Sequence, residues 1–161
     1  MTSILDHCAG ADRRSFAPGA VLMQEGETSG RLYVLARGMV EVLRGDTQVA
    51  VVAEPGAVFG EMSCVLGTPH TATVRALTPA TLFEFENPEE FLRSHPEIAF
   101  FLVRLLAQRL NAATGYLADI KRQFEHRSDH LSMVGEVLES LMHQQRQSFT
   151  PGSDREPDPR M

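Results

Sequence analysis

No apolar run in this chain approaches the ~20 residues needed to span a bilayer, so a transmembrane helix is not expected. The N-terminus, Met1 to Arg14, lacks a basic start followed by an apolar stretch, and a secretory leader is not expected either. Cysteine is scarce. Cys8 and Cys64 stand far apart without metal-ligand spacing, which points to reduced thiols in a cytoplasmic protein. No internal repeat is visible. No Ser/His/Asp set or paired carboxylates suggest catalysis, so the chain is not expected to be an enzyme. His126 and His130 have the i, i+4 spacing of a helical metal pair but no nearby third ligand, and no metal site is expected. Positive charge is also in deficit, with a formal net charge of −6. Proteins that grip nucleic acid by its phosphates usually carry a basic surface, so this balance opposes direct DNA binding.

What remains is ordinary globular composition, 43% hydrophobic and 22% charged, in 161 residues. That length suits one buried domain plus an extension. Residues 16 to 86 read as β structure, because short Val-, Leu-, Phe- and Thr-rich runs alternate with Gly and Pro. Candidate strands are Val21 to Met23, Leu32 to Leu35, Met39 to Leu43, Gln48 to Val52, Ala72 to Ala76 and Thr81 to Phe85. Gly45-Asp46 marks a hairpin. Such a series of short strands suits a compact antiparallel barrel or sandwich.

Near residue 88 the pattern changes. Pro88 opens a short helical piece, and Pro96 stands at the favoured first turn of another helix. No proline follows between Glu97 and Thr150. Ala99, Val103, Leu106, Leu110, Ala113, Leu117, Ile120 and Phe124 recur three and four apart, and Leu131, Val134, Leu138 and Leu141 continue the register. The first turns, with Phe100, Phe101, Leu102 and Leu105, also suit a helix lying on its own barrel, but the narrowing heptad stripe predicts a homodimer through residues 99–141, with Leu110, Leu117, Ile120 and Phe124 in a parallel seam. A break is allowed at 126–130. The expected divisions are 1–95 for the barrel with short flanking helices, 96–146 for the dimerisation helix, and 147–161 for a polar, proline-rich disordered tail.

The segment from Phe59 to Ala76 carries the chemistry. It has a glycine beside a carboxylate, a short apolar turn, and a second turn leading into a strand. Successive backbone N–H groups in such a turn can form an anion-binding nest. Phe59-Gly60-Glu61-Met62-Ser63 and, further on, Pro69-His70-Thr71-Ala72-Thr73-Val74 resemble the phosphate-binding cassette of the cyclic-nucleotide-binding family. Phe16 to Gly19, Glu25-Gly26, Leu32 to Leu35 and Gly38-Met39-Val40 resemble its early strands. The resemblance covers roughly residues 14 to 125 and implies an α+β fold, an antiparallel β-barrel or jelly roll followed by a long C-terminal helix.

It further implies a non-enzymatic sensor of cyclic AMP or cyclic GMP that reports through a separate effector protein, with no cofactor. The alternative is a degenerate dimeric scaffold that binds no nucleotide. By resemblance, Gly60, Glu61 and Met62 present the turn and Glu61 holds the ribose 2′-hydroxyl. Ser63, His70, Thr71 and Ala72 face the cyclic phosphate, while Val58 and Val74 line the apolar side. Asn111 and Thr114 are candidate base contacts. The family's cassette arginine is His70 here, which is shorter and mostly neutral at pH 7. Binding is then weaker, pH-dependent, altered in ligand, or lost, unless Arg75, Arg104 or Arg109 supplies the charge. Bacterial regulators of this type continue into a winged DNA-binding domain. The residues after Gln123 read instead as one helix and a tail, so that domain is not expected.

Overall fold

The computed structural model describes residues 3–124 and 133–141. Eight strands form two four-stranded antiparallel sheets. They are β1 (Asp12–Phe16), β2 (Val21–Met23), β3 (Leu32–Arg37), β4 (Val40–Arg44), β5 (Thr47–Val52), β6 (Val58–Phe59), β7 (Thr73–Ala76) and β8 (Ala80–Phe85). One sheet runs β1-β8-β3-β6 and the other β2-β7-β4-β5. Among the described residues α1 (Glu61–Leu66) lies between β6 and β7, and α2 (Pro88–Ser94) and α3 (Pro96–Gln123) follow β8. The expected jelly roll followed by a long helix is thus what the chain forms.

Inward-facing residues of both sheets make the core, with Leu35 and Leu82 fully buried and Met23, Tyr33, Val40 and Val74 packed among them. Two strands escaped the sequence reading. β1 is exposed at four of its five positions and carries Arg13, Arg14 and Ser15, so no period-2 apolar signal marks it. β6 has only two residues.

By its contacts the chain divides into two compact units, Met1–Leu102 and Val103–Met161. In the first, the start of α3 buries Ile98 and Leu102. In the second, Leu117 and Ile120 are half-buried, whereas Leu110 and Phe124 are exposed. Residues 133–141 are helical, and Val134, Leu138 and Leu141 are half-buried. A Cβ placed on Gly135 would lie 3.5 Å from Lys121 Nζ. Along one straight helix these residues would be ~21 Å apart, so residues 133–141 lie back beside the end of α3. The stripe is therefore not one straight rod through 99–141, and its later part returns to α3. The expected break at 126–130 and the tail 147–161 lie outside the described residues.

Candidate functional site

Between β6 and β7 the chain makes the turn that the Phe59–Ala76 segment foreshadows. α1 is a short helix bounded by glycines in the left-handed region, Gly60 (φ +91°) and Gly67 (φ +67°). Gly60 is also forced by space, since a Cβ there would stand 2.5 Å from the Arg31 carbonyl oxygen. This turn sets Glu61 into the protein, 6% exposed, and leaves Met62 exposed. Ser63 is buried, and its hydroxyl donates to the Thr68 carbonyl at 2.6 Å. Its side chain thus closes the cassette turn.

Val58 and Val74 are both buried. Val74 pairs in register with Met23, whose Cε reaches within 3.2 Å of the space beside Gly60. The apolar floor and the cassette turn therefore meet at Met23. Thr71 is exposed and Ala72 half-buried at the entry to β7. Asn111, exposed, and Thr114, half-buried, belong to the second unit.

His70 is 4% exposed and tied to the β2–β3 connection. Its N–H donates to the Glu27 carbonyl and its carbonyl accepts from Gly26 N–H, both at 2.9 Å. The imidazole Nε2 accepts from Ser29 N–H (3.3 Å) and lies 2.7 Å from Ser29 Oγ. A backbone N–H can only donate, so the neutral ring carries its proton on Nδ1. That Nδ1–H is buried with no protein partner among the described residues. Burial pushes the His70 pKa down, against the opposing pull of the Glu27 carboxylate.

A stability dependence follows. With its pKa lower in the folded state, His70 binds protons more readily when the chain is unfolded. Stability then rises with pH through the window between the depressed folded value and the ordinary ~6.5, and falls on acidification. Thermal melts at pH 7 and pH 5 should show His70→Gln losing less of its midpoint than the wild type. Equal losses would mean that His70 titrates alike in both states.

Arg75, a sequence candidate for compensating charge, is engaged elsewhere. Its Nε and Nη2 lie 2.9 and 2.8 Å from Glu41 Oε2, on the strand face opposite the core residues Val74 and Ala76. Arg104 and Arg109 lie in the second unit. Sequence reasoning passed over two residues that the fold brings here. One is Ser29, the partner of His70, and the other is Arg44, whose Nε donates to the Thr71 carbonyl at 3.1 Å. The alternation Val40, Val42, Arg44 offered a signal for the latter, since it puts a cation on the core-facing side of β4 at its open end.

A separate cleft of about 340 Å³ is lined by Asp12, Glu84, Glu86 and Glu90 among others, and no cassette residue reaches it. Its carboxylates disfavour an anionic ligand. None of the described helices is long and apolar enough to cross a membrane.

Comparison with known proteins agrees with the geometry. A cyclic nucleotide-gated potassium channel of Mesorhizobium japonicum is 34% identical over 62% of this chain and 28% of its own. A CRP-like cAMP-activated global transcriptional regulator of Mycobacterium tuberculosis is 29% identical over 65% of this chain and 50% of its own. The chain thus spans half or less of the length of these relatives. The catabolite activator protein of Thermus thermophilus shares the fold, with a TM-score of 0.61 at 23% identity over 90% of this chain and 83% of its own. The family model of the cyclic nucleotide-binding domain matches residues 13–93, a range that holds β2 to β8 and the cassette turn, and the chain belongs to that family.

Proposed function

We propose that this chain is a non-enzymatic regulatory sensor whose cassette binds cyclic AMP or cyclic GMP and whose helical unit pairs with a second copy. The observation that carries the reading is the Gly60–Glu61 turn. A left-handed glycine that tolerates no side chain buries one carboxylate beside an apolar floor, in a domain of the cyclic-nucleotide-binding family. A carboxylate so placed can accept from a ribose hydroxyl while the floor receives the ring. The names of two relatives, a cyclic nucleotide-gated channel and a cAMP-activated regulator, favour the same ligand class. Pairing is supported by the exposed Val103 and Leu110, one heptad apart on α3. Its report would pass to an effector protein.

A ligand that prefers the folded state raises the unfolding midpoint, by ~2.7 kcal/mol of stability at a hundred times its Kd. Thermal scans with cyclic AMP, cyclic GMP and their linear monophosphates should show protection by a cyclic form. Glu61→Gln should reduce that affinity by roughly 10- to 100-fold, the worth of a hydrogen bond to a charged group. Absence of protection by every nucleotide would overturn the sensor and leave the second reading, a dimeric scaffold. What favours that alternative is His70, which sits at the cassette-arginine position yet is folded inward onto Ser29.

A further inference from the structure

An anion held at the cassette needs a compensating cation, and the residue at the arginine position does not provide one. His70 is neutral in its ground state and turned onto Ser29. Several other arginines of this unit are engaged, and Arg13 lies over the Phe83 ring. Arg14 and Arg31 lie 2.7 and 3.7 Å from Glu84 Oε2, Arg75 is on Glu41, and Arg93 is on Glu89.

Arg44 differs from these four. β4 and β7 pair without irregularity from Val40↔Ala76 to Leu43↔Thr73, and Arg44 is the next residue of β4, at the end where the chain enters β7. Val40 and Val42 pack on the core, so strand alternation puts Arg44 on the same face. At the end of the strand that face opens to solvent, and Arg44 is exposed. Its Nε is fixed by the Thr71 carbonyl, and among the described residues no carboxylate comes within ion-pair distance of its guanidinium. The nearby Glu25 carboxylate already accepts from Gly45 N–H at 2.8 Å. The planar fork is therefore anchored through one nitrogen beside Thr71 and Ala72, with both terminal nitrogens uncommitted.

We propose that Arg44, reaching across from β4, supplies the guanidinium for the ligand's phosphate in place of an arginine at position 70. The inference rests on the reading that the cassette binds a cyclic nucleotide. The two terminal nitrogens can donate in parallel to the exocyclic phosphate oxygens, as Arg does with phosphates generally. Thr71 and Ala72 then flank the same oxygens from the turn that enters β7.

Calorimetric titration of the full chain with cyclic AMP and cyclic GMP tests this, with adenosine and guanosine as phosphate-free controls. Arg44→Gln should weaken whichever cyclic nucleotide the wild type binds by ~10- to 100-fold. Binding of the matching nucleoside should be unchanged, and Arg44→Lys should recover part of the loss. Added salt should weaken the wild type more than Arg44→Gln. Equal affinity in wild type and Arg44→Gln would overturn the role of Arg44 and leave the cyclic-nucleotide reading intact. A wild type that binds neither cyclic nucleotide would overturn both. Should Arg44→Gln fail to fold, salt-independent binding by the wild type would overturn the proposal by itself.

Discussion

Gly60→Ala should unfold the cassette and lower the melting midpoint of the barrel by more than ~10 °C. Two costs add at this position. The backbone holds φ at +91°, a conformation that costs a residue with a side chain ~1–3 kcal/mol. A Cβ would also stand 2.5 Å from the Arg31 carbonyl oxygen, a backbone atom on the approach to β3 that has no rotamer to give. Overpacking of that kind adds ~1–3 kcal/mol. The sum, ~2–6 kcal/mol, is a large share of the ~5–15 kcal/mol that holds a domain folded. For a domain of ~100 residues each kcal/mol moves the midpoint by about 4–8 °C. Gly67→Ala is the informative control. Its φ of +67° is also left-handed, but nothing lies within 4 Å of the added carbon, so only the conformational cost applies. Calorimetric melts of both variants should rank Gly60→Ala well below Gly67→Ala. Equal midpoints would mean that the Arg31 strand entry yields freely.

The second large effect concerns self-association. Val103 and Leu110 are 62% and 40% exposed within one chain, so replacing both with Glu costs the isolated chain little. In a paired helix the same carboxylates would be buried without partners. Each buried, unpaired ion costs several kcal/mol, and with two in each chain the total is on the order of 10 kcal/mol. A nanomolar dimer is held by only roughly 12 kcal/mol, so the variant should be monomeric at micromolar concentration. Light scattering should report a wild-type dimer and a variant monomer with the same far-ultraviolet dichroism. A wild-type monomer would remove the pairing. Val103 and Leu110 are better probes than Leu117 and Ile120, which are half-buried in the single chain and would report on its own fold as well.

The residues that sequence determined are those whose conformation has a local cause. A glycine beside a carboxylate marks the turn at Gly60, Pro88 and Pro96 start helices, and the Val- and Leu-rich runs alternate into strands, because each effect acts within a few bonds or one helical turn. The cassette was legible for the same reason, being a contiguous segment with its glycines at fixed offsets. β1 was not, since an exposed edge strand needs only its neighbour's backbone and places no demand on its own side chains. Heptad spacing gave α3 correctly but could not show that residues 133–141 return toward Lys121, because periodicity fixes a face and is silent on what covers it.

The partners of the charged and polar groups were settled by the tertiary structure. His70 meets Ser29 across 41 positions, Arg75 meets Glu41 across 34, and Arg44 meets Thr71 across 27. Arg75 and Arg44 are the same residue type near the same cassette, and sequence favoured the one that belongs to its motif. Strand register decided otherwise. It set Arg75 opposite Glu41 and carried Arg44 to the edge of the cassette, a choice made by the pairing of β4 with β7 and by no property of either arginine.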